Sequence, residues 1–336
     1  MDLFELTRKL IDIPSVTGDE GAVGSFLASY LQDLGYEVKQ QRVEDDRCNI
    51  IATTGAQPRI VLSTHMDTVP PYIASREDAD NIYGRGACDA KGIIAAQIVA
   101  AEMLRREGLN EVGLLFTVDE ETGSLGAQVA NTEPIAGECI YLINGEPTDN
   151  KLAIGTKGSL RCVLTTEGRA AHSAYPEQGE SAIEKLLDAL DSIRCSEWPT
   201  DQVFGETTCN IGVIAGGTRP NVVAAEARAE LQIRLVTKVA PIKELLQKAI
   251  AGRARIDYLS AHDPIRLHSI DGFEQCVVRF TTDIPHLSKW GTPLLIGPGS
   301  ILDAHTENER VAKRELIRAV ELYADLARTL LAAEHL

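Results

Sequence analysis

The chain has 336 residues, more than one hydrophobic core usually holds, so two domains are expected, with a single large barrel as the other possibility. Lys plus Arg number 33 against 49 Asp plus Glu, a formal net charge of -16 that argues against nucleic acid or an anionic membrane surface as partner. Seven cysteines, an odd number with no CxxC pair, suit reduced thiols better than a disulfide framework, so a cytoplasmic location is expected.

The N-terminal stretch MDLFELTRKLIDIPS carries charge throughout and indicates neither a signal peptide nor a membrane span. Thr17 followed by Glu20 is a capping-box pattern. The apolar spacing of Val23, Phe26, Leu27, Tyr30, Leu31 and Leu34 before Gly35 predicts an amphipathic helix with a glycine stop. NIIATT, RIVLSTH, VGLLFTVD and CIYLING are nearly continuous apolar runs of strand length, interrupted by a helical stretch from about Lys91 to Arg106. Such alternation predicts a largely parallel sheet covered by helices.

After Gly155 the texture changes. GSLRCVLTTEG, TCNIGVIAGG, AEARAELQIRLV and ARIDYLSAH read as strands, and ESAIEKLLDALDSI and PIKELLQKAIAG as helices. Their order, βαββαβ, is ferredoxin-like and can close on its own. Residues 157–262 are therefore expected to be an inserted domain, interrupting a catalytic domain formed by residues 1–156 and 263–336, whose last helix is predicted over NERVAKRELIRAVELYADLARTLLA. A continuous two-domain split is the rival layout, but it would separate His305 from the other candidate ligands.

Acidic residues and histidines gather at or just beyond the ends of the apolar runs: His65 and Asp67 in VLSTHMDTVP, Asp89 in GRGACDAKG, Glu120 and Glu121 in LLFTVDEETGS, Glu146 in YLINGEPTDN, and His305 in GPGSILDAHTENE. In open sheets of this kind, ligand sites collect beyond the carboxyl ends of the strands. Each residue has a plainer alternative. The HxD triplet suits a strand-end histidine, Asp89 could cap the following helix, Glu120 and Glu121 could form a solvated turn, Glu146 could be a turn residue, and HTENE could open the final helix. Together they suit divalent metal, with a carboxylate left over as general base, and so a hydrolase. Asp89, Glu121 and Glu146 supply three negative charges against four positive from two divalent ions, and one hydroxide would balance the set. Later in the chain, His172 in EGRAAHSAYPEQGESAIEKL could donate to a developing oxyanion, and Asn221 and Arg234 could grip a carboxylate; from spacing alone a loop imidazole, a turn asparagine and a surface cation fit as well.

With these residues assembled, the sequence resembles the co-catalytic zinc aminoacylase and carboxypeptidase family, which includes acetylornithine deacetylase, succinyl-diaminopimelate desuccinylase and related dipeptidases. The motifs HMDTVP, GRGACDAKG, DEETGSLGA, NGEPT, GTKGSLR, GRAAHSAYPEQGESAI, GGTRPNVV and GPGSILDAHTENE occur in the family's order. The resemblance implies one zinc held by His65, Asp89 and Glu146 and another by Asp89, Glu121 and His305, with cobalt as an alternative metal. It implies Asp67 orienting His65, Glu120 as general base, and a cis peptide between Asp89 and Ala90. It further implies that the insert is a lid pairing two subunits as a homodimer, with His172 reaching the partner's site, and that Asn221, Arg234 and Lys157 recognise the substrate carboxylate.

The chain departs from the family at Ala224, where proline is common, and at Gln232, where an acid is common. The stretch from Pro71 to Asn81 is shorter than in typical acetylornithine deacetylases and lacks their Trp and Phe. The expectation is a dinuclear zinc amidohydrolase that removes an N-acyl group from a small amino acid, acetylornithine deacetylase-like. Alternatives are succinyl-diaminopimelate desuccinylase or a metallo-dipeptidase or carboxypeptidase acting on dipeptides. A catalytically silent binding protein on the same scaffold is disfavoured because every ligand position is kept.

Overall fold

A computed structural model describes residues 1–333 of the chain. They form two compact units. The first comprises Met1–Ile154, Leu267–Cys276 and the described residues from Thr282 onward; the second comprises Gly155–Arg266 and Val277–Thr281. The second unit therefore begins two residues before the expected boundary, ends four residues beyond it, and adds a short later segment. That segment belongs there because the backbone N–H of Lys157 donates to the carbonyl of Val278 at 3.0 Å. No helix among the described residues is long and apolar enough to cross a membrane.

The first unit is built on a six-stranded mixed sheet in the order Glu37–Glu44, Arg47–Thr53, Val112–Thr117, Ile60–His65, Tyr141–Asn144, Thr292–Leu295. The first two pairings are antiparallel and the remaining three parallel. Both faces of the sheet are covered, which is why its strands read as unbroken apolar runs. Ile50, Ile60, Leu62, Leu114, Phe116 and Ile143 face a core shared with helices Leu3–Ile11, Gly21–Asp33, Lys91–Arg106 and Lys313–Ala333. Ile51, Val61, Leu115 and Leu142 face a second core around Ala127, Ala130 and Trp290.

Two local expectations are corrected. The Thr17/Glu20 capping box does not form: helix Gly21–Asp33 has no side-chain cap at Glu20, and the Thr17 hydroxyl instead donates to Asp67 Oδ2 at 2.8 Å. Donating to a buried carboxylate makes a charge-assisted hydrogen bond, stronger than the neutral one of a helix cap. The final helix starts at Lys313, five residues later than predicted, because Arg310–Ala312 pairs as a strand with Asn81–Tyr83.

The second unit has a four-stranded antiparallel sheet in the order Thr208–Gly216, Glu226–Leu235, Gly158–Glu167, Arg255–His262. Helices Ala182–Arg194 and Val239–Ile250 pack on one face through Leu186, Leu190, Ile193, Ile242 and Leu246. Strand order and the two helices give this unit the ferredoxin-like arrangement.

Candidate metal centre

The parallel strands of the first unit deliver the chemistry. His65 is the last residue of Ile60–His65, Glu120 and Glu121 follow Val112–Thr117 after two residues, and Glu146 follows Tyr141–Asn144 after one. Asp89 sits in the loop before helix Lys91–Arg106, where Gly86 at φ +90° turns the chain, and the Asp89–Ala90 peptide is cis. The GPG segment before His305 is explained by a close approach: a Cβ at Gly297 would lie 2.5 Å from the Glu146 carbonyl oxygen.

Asp89 is buried and its two oxygens are divided. Oδ1 lies 2.9 Å from His65 Nε2, and Oδ2 lies 3.2 Å from His305 Nε2. The helix-cap alternative is thereby removed, since Ala90 occupies the cap position without a side-chain bond. His305 Nε2 is also 3.0 Å from Glu121 Oε1. His65, Asp89 and Glu121 each offer a ligand atom within 4.8 Å of the others. Glu146 is buried with Oε1 unpartnered among the described residues, and its nearest charges include His65 and Asp89. His305 has φ +62° and lies outside the final helix, so HTENE does not open it.

Asp67 does more than orient one imidazole. His65 Nδ1 is 3.0 Å from the Asp67 carbonyl oxygen and 3.5 Å from Oδ1, which leaves Nε2 pointing at Asp89. The same carboxylate accepts the backbone N–H of Glu120 on Oδ1 and of Glu121 on Oδ2, both at 3.1 Å. Adjacent side chains in a strand point to opposite faces. Here the strand has ended, and Asp67 holds the Glu120–Glu121 peptide in an irregular turn. The turn is braced from behind by Asp119 at φ +71°, whose N–H donates to Glu20 at 3.2 Å, and by the buried Arg47 guanidinium between Glu20 and Asp119.

The electrostatics describe a site built for cations. Burial pushes the Glu120 carboxyl well above its usual range, with Glu146 adding to the effect, and burial likewise raises Glu146. Burial raises Asp283 to about 6 against hydrogen bonds from Thr117 and Ser124, and its Oδ1 has no partner among the described residues. His65 stays well above its usual value despite burial because of Asp67 and Asp89, and hydrogen bonds to Asp89 and Glu121 raise His305 to about 10. Buried carboxylates in this number need positive charge, and an orphaned Glu146 oxygen beside a divided Asp89 carboxylate suits two divalent ions.

These shifts have a consequence for the metal-free protein. A carboxyl whose pKa is raised on folding holds more protons folded than unfolded, so its stabilising effect, present below the ordinary Glu value near 4.5, is lost as pH rises through the folded value. Glu120, Glu146 and Asp283 all act in this sense, Asp283 through about 6, whereas Lys91, pulled down to about 7 by burial, acts oppositely above that value. Chelated protein is expected to show a falling Tm from about pH 5 to about pH 7, and added divalent metal to raise Tm more at the higher pH. A Tm that rises over this interval without metal would contradict the assignment.

The remaining predicted residues lie in the second unit. His172 is exposed, and its Nδ1 accepts the N–H of Ala174 at 3.1 Å, which leaves Nε2 as the free donor. The backbone N–H of Ser173 donates to the Asn221 carbonyl, so these two loops are paired. Lys157 is buried and donates to the Glu206 carbonyl. Arg234 makes no ion pair among the described residues. Gln232, at the position where the family commonly has an acid, donates to Ser159 instead.

Residues 61–329 match peptidase family M20/M25/M40. A peptidase M20 domain-containing protein of Schizosaccharomyces pombe is 38% identical over 334 residues, 96% of this chain and 83% of that protein. A protein of Aspergillus terreus bearing the name "Probable carboxypeptidase" is 36% identical over 364 residues, 95% of this chain and 84% of that one. A tripeptidase structure from Staphylococcus aureus superposes with a TM-score of 0.81 at 21% identity over 97% of this chain and 98% of its own, a likeness of fold.

Proposed function

Because the chain belongs to peptidase family M20/M25/M40 and is thus a metal-dependent peptide-bond hydrolase, we propose that it releases the C-terminal residue of a dipeptide or short peptide, as a metallo-carboxypeptidase or dipeptidase. The observation that carries this reading is similarity along nearly the whole chain to a protein named as a carboxypeptidase. The acetylornithine deacetylase-like reading is second. It rests on the GPGS loop before His305 and is weakened by the shortened stretch from Pro71 to Asn81.

In this reading His65, Asp89 and Glu146 would hold one divalent ion, zinc for preference, and Asp89, Glu121 and His305 the other. When bound, the ions would polarise the scissile carbonyl and lower the pKa of the attacking water. Glu120, whose carboxyl is raised by burial and by Glu146, would take that water's proton and deliver it to the leaving amine nitrogen. As the family resemblance implies, His172 would offer its Nε2–H to a developing oxyanion, and Arg234, Asn221 and Lys157 would serve a substrate carboxylate.

The test is a panel of dipeptides, the same dipeptides with C-terminal amides, N-acetyl amino acids and N-succinyl amino acids, compared by kcat/KM. Free dipeptides are expected to exceed both N-acyl classes by about 100-fold, and amidation to remove most of that advantage. N-acetylornithine as the best substrate would replace this reading with the deacylase one.

A further inference from the structure

Among the charged residues that the catalytic reading leaves unused, Glu309 is the most completely engaged. It is 1% exposed, four residues beyond His305 in sequence. Its Oε1 accepts three backbone N–H groups from the Asp89 loop, those of Gly86 at 2.9 Å, Cys88 at 3.3 Å and Asp89 itself at 3.2 Å. Its Oε2 accepts Arg85 Nη1 at 2.7 Å, and its backbone carbonyl accepts the N–H of Gly84 at 3.1 Å. Arg85 also donates to the Thr306 carbonyl at 3.2 Å and to the Pro71 carbonyl at 3.2 Å.

We propose that Glu309 is a positioning residue for the metal centre, tying the loop that carries Asp89 to the segment that carries His305 so that both ligands keep a fixed separation. The inference rests on the dinuclear reading given above. Its physical basis is that Asp89 places one oxygen towards each histidine, a division that survives only if the Asp89 backbone cannot rotate. Three converging N–H donors on one buried, charged acceptor supply that restraint. A peptide unit held at its own N–H leaves the carboxylate only its side-chain torsions to vary.

The consequence is asymmetric between the two ions. The ion of Asp89, Glu121 and His305 draws two of its three ligands from segments that Glu309 joins, whereas the ion of His65, Asp89 and Glu146 draws one. Loss of the Glu309 carboxylate therefore loosens the first of these more than the second.

The experiment is calorimetric titration of chelator-stripped full-length protein with zinc, and parallel titration with cobalt followed by its visible spectrum. Wild type is expected to bind two ions per chain. Glu309→Gln, of equal size, is expected to keep one near wild-type affinity and to weaken the other by about 10- to 100-fold. Glu309→Asp keeps the charge opposite Arg85 while drawing the acceptor back from the N–H groups; it is expected to lie between the two, and it carries the test if the Gln variant does not fold. Circular dichroism of both variants matching wild type separates positioning from general unfolding. Two ions bound by wild type with unchanged affinities in the folded variants, or equal weakening of both ions, would overturn the role of Glu309 alone. Fewer than two ions bound by wild type would overturn the dinuclear reading, and the Glu309 proposal with it.

Discussion

Glu120→Ala is expected to lower kcat by about a thousandfold while leaving the metal content unchanged. The separation of effects follows from the geometry. Glu121 approaches His305 and belongs to the group that includes His65 and Asp89, whereas Glu120 lies outside that group, with its backbone N–H on Asp67. Removing its side chain takes away a proton carrier without removing a ligand. Its carboxyl, raised by burial and by Glu146, has the basicity to take a proton from an acidified water and return it to an amine. Kinetics and metal analysis on one preparation check this: near-normal turnover would remove Glu120 from the base role, and loss of metal would make it a ligand.

Asp89→Asn should have the broader effect, because the same side chain is assigned to both ions. A carboxylate offers acceptor oxygens on both sides, whereas an amide offers one oxygen and presents an NH2 group on the other. One of the histidine-facing positions, 2.9 Å from His65 or 3.2 Å from His305, would then carry a donor where an acceptor is required. Metal content is expected to fall from about two ions per chain to about one or fewer, and turnover to fall by about a thousandfold, corresponding to several kcal/mol of lost transition-state stabilisation. Elemental analysis after dialysis reads the first quantity and initial rates the second. A variant that keeps both ions would show that Asp89 does not bridge them.

The two substitutions differ in reach for a reason visible in the sequence only in part. The placement of His65, Glu120, Glu121 and Glu146 beyond the ends of apolar runs was legible, since a doubly covered parallel sheet writes itself as unbroken hydrophobic strands and opens its ligand face at their carboxyl ends. The adjacency of Glu120 and Glu121 was legible as an irregularity but not as a solution. It is Asp67, more than fifty positions earlier, that catches both backbone N–H groups. Nothing in HTENE announces the role of Glu309, because the segment reads equally well as the start of a charged helix. Its engagement depends on Gly86, Cys88 and Asp89, more than two hundred residues away in the chain. Likewise nothing in TTDIPH announces that Thr117 will donate to Asp283 at 2.7 Å.

In the second unit the alternation of strands and helices was enough to give the βαββαβ order, because each element's periodicity is local. Which strand lies beside which was not local: the two central strands, Gly158–Glu167 and Glu226–Leu235, are separated by a helix and another strand. The sequence by itself determined the main strands and helices, the ordering of the motifs and the residue types available for chemistry, since these follow from composition and spacing along the chain. Tertiary structure alone decided how the Asp89 oxygens are divided, how Asp67 and Glu309 hold the loops that carry the ligands, and which buried carboxyl oxygens are left without a partner among the described residues. Those are properties of distance between segments far apart in sequence, and the energy of a hydrogen bond or a buried charge depends on that distance and on what surrounds it, not on position in the chain.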